Sequence, residues 1–197
     1  SFLKLMLPLA RALMLALLDS LLEAGFDTED QAKRALSWYR QGAYAAGGRV
    51  FDVGGATSRA LEAFAAGAAP EDAGPTDERS CGNGSLMRTA PVALGYLGDV
   101  AGLIEAARAV SRLTHYDERA QEACVLWSLA IRHAILHGDI DLRAGLDHLG
   151  PDAAAYWIER IDEAEAGPPS RFRPNGWVVS ALQAAWSRPS TPDPSAS

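Results

Sequence analysis

Apolar positions recur along most of this chain at three- and four-residue intervals, the spacing that lines one face of an α-helix. From Ala10 onward, Leu13, Leu17 and Leu21 share one side with Met14 and Leu18 beside them, which predicts a buried helix. Residues 2–22 are apolar enough to raise a signal peptide or a membrane anchor. Arg11 stands in the middle of that run, however, Pro8 interrupts it, Asp19 closes it, and no small-residue cleavage pattern leads out of it. Asp27 or Thr28, followed by Glu29, Asp30 and Gln31, opens a second helix that reaches residue 45, with Ala32, Ala35, Leu36, Tyr39 and Ala43 on one face. Trp38 and Tyr44 are core or ligand-facing aromatics, core being the commoner outcome. Helical spacing resumes over residues 57–66 and 100–113, and is clearest over 117–137, where Ala120, Cys124, Trp127, Ile131 and Ile135 lie opposite Arg119, Glu122 and Arg132. Shorter helical pieces follow at 142–149, 153–164 and 175–186. No segment alternates like a strand, so the pattern predicts an all-α fold of about eight helices in one compact bundle. Residues 1–187 form that domain, and 188–197 read as a disordered Ser/Pro tail.

Composition narrows the class. The 197 residues are 48% hydrophobic and 22% charged, with a formal net charge of -7. A chain of that sign with no local basic patch is not built to grip a nucleic-acid backbone. Cys81 and Cys124 lie far apart without metal-ligand spacing and read as free thiols in a reducing, cytoplasmic setting. His133 and His137 have the i, i+4 spacing of a metal pair, but no acidic or third histidine partner with matching spacing accompanies them.

The chemistry concentrates in three loops. In residues 81–94, CGNGSLMRTAPVAL, Gly82 and Gly84 flank Asn83, and Ser85 stands where a helix would open. A glycine turn, a serine N-cap, free amides in the first turn of Leu86 and Met87, and the Arg88 guanidinium would suit a phosphate or diphosphate. A capped turn with Arg88 in solvent fits the same residues equally well. Upstream, Gly47, Gly48, Gly54 and Gly55 bracket Asp52 and Thr57, a tight loop that aims one carboxylate or a local turn hydrogen bond. Downstream, Thr114 and His115 follow a helix and either meet a ligand or start the next one. The Pro- and acid-rich 70–80 segment reads as a surface connection.

Taken in order, GGRVFDVGGAT, GPTDERSCGNGSLMRTAPVAL, SRLTHYDERAQEAC and NGWVVSALQAAW closely resemble the ADP-ribosylglycohydrolase family, over nearly all of residues 12–186. The resemblance implies an all-α hydrolase that cleaves the N- or O-glycosidic bond between ADP-ribose and a modified side chain. It assigns Gly82, Asn83, Gly84 and Ser85 to the diphosphate of ADP-ribose, with Met87 and Arg88 shaping the same pocket. Thr114 and His115 match the family's T-H pair, near the ribose or adenine, and Asp52 would face the scissile bond. The family works with a pair of Mg²⁺ ions, held mostly by an early T-D-D-[ST] motif and a late G-x-D-x-D-[ST] motif. Here Pro8, Leu9, Ala10 and Arg11 stand in the place of the first, and the Ser/Pro tail begins before the second. The expectation is therefore a truncated or diverged chain that does not bind Mg²⁺ and is inactive by itself. Its partner would be ADP-ribose or an ADP-ribosylated protein, and its alternatives are a module that binds ADP-ribose or a related nucleotide without catalysis, and a structural remnant.

Overall fold

The computed structural model describes residues 2–51, 53–77 and 80–187, with side chains from residue 10 onward. Asp52 and the 188–197 tail lie outside the described residues. Eight α-helices follow in order: α1 (Phe2–Glu23), α2 (Thr28–Gln41), α3 (Gly55–Ala65), α4 (Ala90–Gly95), α5 (Val100–Arg112), α6 (Glu118–His137), α7 (Pro151–Glu165) and α8 (Val178–Trp186). Among the described residues the extended structure consists of one isolated bridge, Gly82 to Trp177. The all-α expectation holds.

Local chemistry sets most boundaries. Asp27 accepts from the Asp30 amide at 3.0 Å to start α2, and Gly42, at φ 71°, ends it by donating its N–H to the Trp38 carbonyl. Asp99 caps α5 through the Gly102 amide at 2.9 Å. Asp117 caps α6 through the Arg119 amide at 2.8 Å, and Gly138 closes it at φ 88°. Helix α1 starts earlier than the spacing predicts, at Phe2, and runs on through Pro8. No helix among the described residues is long and apolar enough to cross a membrane.

Helix α6 is the axis of the bundle. It packs against α4, α5 and α8 and against the 3₁₀ turn Arg143–His148, which replaces the helix expected at 142–149. Residues 120–126 of α6 are buried on every side, including Gln121 and Glu122. Only a helix with neighbours all round does this, so the amphipathic face read from the sequence understates its burial. The buried Glu122 carboxyl is paired, accepting from Arg119 Nη1 and from Trp157 Nε1, each at 2.7 Å. A smaller core joins Ala12, Leu13, Trp38 and Leu61 from α1, α2 and α3, with Tyr44 packed at its edge. Both aromatics left open in the sequence are therefore structural. The 70–80 segment is only partly a surface connection, since Pro70, Ala73, Gly74 and Ser80 are buried. Gly74 lies against the Arg112 carbonyl where no side chain fits.

Candidate functional site

The glycine loop does not open an α-helix. Leu86–Arg88 form one 3₁₀ turn, Ser85 makes no side-chain cap, and α4 begins only at Ala90. The loop is instead stapled to the segment that leads into α8. Val178 N–H donates to the Cys81 carbonyl at 3.1 Å, Asn83 N–H to the Gly176 carbonyl at 3.0 Å, and Asn83 Nδ2 to the Asn175 carbonyl at 2.6 Å. Met87 and Arg88 spend their amides on the Asn83 and Ser85 carbonyls. The Met87 amide, expected to meet an anion, thus already has a protein partner, as do those of Asn83 and Arg88.

The interior face of the loop explains its glycines. A Cβ on Gly84 would stand 2.7 Å from His115 Cε1, and one on Gly82 would stand 3.1 Å from His115 Nε2. Neither glycine has a positive φ, so close approach of the imidazole, rather than a backbone conformation, requires the absence of a side chain. Thr57, at the start of α3, lies within 3.4 Å of the same point at Gly84. The GGAT, GNGS and T-H segments therefore meet in space.

The guanidinium of Arg88 does not reach the loop's outer surface. It is buried, and its Nη2 donates to the Val110 carbonyl at 2.8 Å and to Thr114 Oγ1 at 2.7 Å. Thr114 Oγ1 lies 2.7 Å from His115 Nδ1. With two lone pairs, the threonine oxygen can accept from Arg88 and still either donate its proton to Nδ1 or accept one from it. Burial, with the Arg88 charge adding to it, pushes the His115 pKa down to about 3, so the ring is neutral. Burial also lowers the Arg88 pKa to about 10, which leaves it charged at neutral pH. Ser85 is fully buried and hydrogen-bonds Ser111 Oγ at 3.0 Å.

On its other side the loop borders a cleft of about 630 Å³. Asn83 and Met87 line it together with Trp127 of α6 and Ser170, Arg173 and Asn175 of the segment before α8, while the Ala181, Ala184 and Ala185 positions of α8 form an apolar wall. The predicted residues thus divide: Asn83 and Met87 meet the cleft, whereas Ser85, Arg88, Thr114 and His115 lie behind the loop. Trp127, Arg173 and Asn175 escaped the sequence reading. Trp127 shares the periodicity of the α6 core, and the arginine and asparagine sit in a Pro-rich stretch that reads only as a chain break. An arginine and an NG pair ahead of a new helix was the available signal.

Cys81 and Cys124 are both free thiols. The Cys81 thiol donates to Asp117 Oδ1 at 3.0 Å, and burial followed by that carboxylate pushes its pKa up to about 12. On α6, the His133 and His137 rings stand 4.5 Å apart. Asp139 lies 3.7 Å from His133 Nε2, an acidic neighbour that the helical spacing did not suggest. Among the described residues no three His, Cys, Asp or Glu side chains are grouped to hold a metal ion. The donor set among the described residues does not fit a pair of Mg²⁺ ions.

The family model for ADP-ribosylglycohydrolase matches residues 10–188. An ADP-ribosylarginine hydrolase Tri1 of Pseudomonas putida (strain GB-1) is 29% identical over 177 residues, covering 88% of this chain and 47% of the relative. Its counterpart in Serratia proteamaculans (strain 568) is 24% identical over 175 residues, with the same coverage. The chain thus spans about half the length of the curated relatives it matches. A solved ADP-ribosylglycohydrolase-related protein complex is 33% identical with a TM-score of 0.61, covering 88% of this chain and 56% of that one. With the matched stretch running from α1 to the end of α8, and the three loops of the resemblance converging on one imidazole, this chain belongs to the ADP-ribosylglycohydrolase family.

Proposed function

We propose that this chain carries nucleotide recognition for an ADP-ribosylarginine hydrolase and does not hydrolyse the linkage alone. The substrate class follows the names of its relatives, and the linkage is then the N-glycosidic bond between the ribose anomeric carbon and an arginine nitrogen. Hydrolysis replaces that bond with one to a water oxygen, and the guanidine leaves with a proton. The cleft beside the glycine loop carries the proposal. Its volume of about 630 Å³ suits a nucleotide-sized ligand. Trp127 offers a stacking surface for an adenine, Arg173 a cation for a diphosphate, and Asn83 a polar edge. Behind it, the neutral His115 holds the loop in shape. A dinuclear metal step needs several anionic oxygens, and no such group stands among the described residues.

Titration calorimetry with ADP-ribose tests the reading. The natural chain should bind, and Trp127→Ala and Arg173→Ala should each weaken binding at least tenfold, as loss of a stacking or charged contact does. Absence of heat with the natural chain sinks the recognition role. Incubation with Mg²⁺ and an ADP-ribosylated arginine peptide should release no ADP-ribose. Metal-dependent release would overturn the division between recognition and catalysis.

A further inference from the structure

A second cavity lies among α1, α2, α3 and α5, and it shares no lining residue with the cleft. Most of its wall is apolar, including Leu13, Leu61 and Leu113, yet Gln31 and Arg88 also line it. Gln31 is 4% exposed, and neither its Oε1 nor its Nε2 has a hydrogen-bond partner. Arg88 is 5% exposed, and its Nη1 has none either. The partners of its Nη2, a carbonyl and a hydroxyl, are neutral. Among the described residues no carboxylate acts on the guanidinium.

Two buried donors and an uncompensated buried cation on one cavity are expensive unless something fills it. A water molecule would satisfy the hydrogen bonds and leave the charge. An anion satisfies the two donors and the charge, leaving only the Gln31 Oε1 acceptor unmet. The free space is about 20 Å³, room for one water-sized centre and too little for a tetrahedral oxyanion. We propose that this cavity binds a single chloride-sized monovalent anion through Arg88 Nη1 and Gln31 Nε2. The bound ion neutralises Arg88, and Arg88 in turn fixes Thr114 and the imidazole that packs under the glycine loop. Occupancy therefore stiffens the loop from behind, at a point separate from the cleft.

The test uses the full chain at constant ionic strength, replacing sodium gluconate with sodium chloride or bromide. Chloride and bromide should raise the Tm by a few degrees and saturate, as a ligand bound only by the native state does. Crystals grown in bromide should show an anomalous peak within about 3.5 Å of both donors. Gln31→Leu, which preserves the cation and the volume, should raise the chloride midpoint at least tenfold. Arg88→Met should abolish the response. If that variant does not fold, the bromide crystal and Gln31→Leu decide the matter. Equal Tm in all salts, a water without anomalous signal, or a protein carboxylate seated in the cavity would each overturn the proposal.

Discussion

Gly84→Ala isolates the reason for the glycines in the central loop. The new methyl would stand 2.7 Å from His115 Cε1 and 3.2 Å from Nε2, well inside van der Waals contact. The ring cannot swing away freely, because its Nδ1 is held 2.7 Å from Thr114 Oγ1 and Thr114 is held by Arg88. Overpacking of this kind costs about 1–3 kcal/mol. For a chain of this size that lowers Tm by roughly 2–12 °C. Gly82→Ala meets the ring only at 3.1 Å, a contact relieved by a few tenths of an ångström. Its cost should be offset by the roughly 0.4–1 kcal/mol that a Gly→Ala change contributes through the unfolded chain. Urea unfolding followed by tryptophan fluorescence measures both. In a His115→Ala background the Gly84→Ala penalty should vanish, and the double-mutant cycle reports the difference as a coupling energy. A penalty that persists without the imidazole, or a larger one at Gly82 than at Gly84, would refute the claim that the loop is shaped by the histidine behind it.

Two further predictions concern protons. The native His115 pKa of about 3 lies below its ordinary 6.5, so the unfolded chain takes up a proton that the native chain refuses. That contribution to stability is complete above pH 6.5 and is lost as pH falls toward 3, with a slope of about 1.4 kcal/mol per pH unit. His115→Gln should flatten the acid limb of a urea-stability series by that amount, and an unchanged limb would place the ring in water. Cys81, pushed up to about 12 by burial and by Asp117, should alkylate with iodoacetamide at pH 8 at least tenfold more slowly than the unfolded chain. Asp117→Asn retains the cap acceptor but removes the charge and should speed the reaction. Equal rates in the two native proteins would show that burial alone sets the thiol.

The helices were legible because their signals are local. Asp27, Asp99 and Asp117 each cap the helix that follows them in sequence, and a cap needs only its own next three residues. Burial around α6 was not legible, because whether Glu122 faces solvent or Trp157 depends on α7, which lies outside any window that periodicity can scan. The loop shows the same limit more sharply. A glycine says that a side chain is unwelcome and is silent about what excludes it. A phosphate approaching from outside and an imidazole packed from inside leave the same G-N-G in the sequence. The distances at Gly82 and Gly84 decide for the imidazole, and the cleft on the other face of the loop remains open to Asn83 and Met87. Under the proposed function the two roles are therefore stacked rather than exclusive. His115 presses the loop into the shape with which its outer edge borders the cleft, so a change at His115 should reach a nucleotide only through the loop.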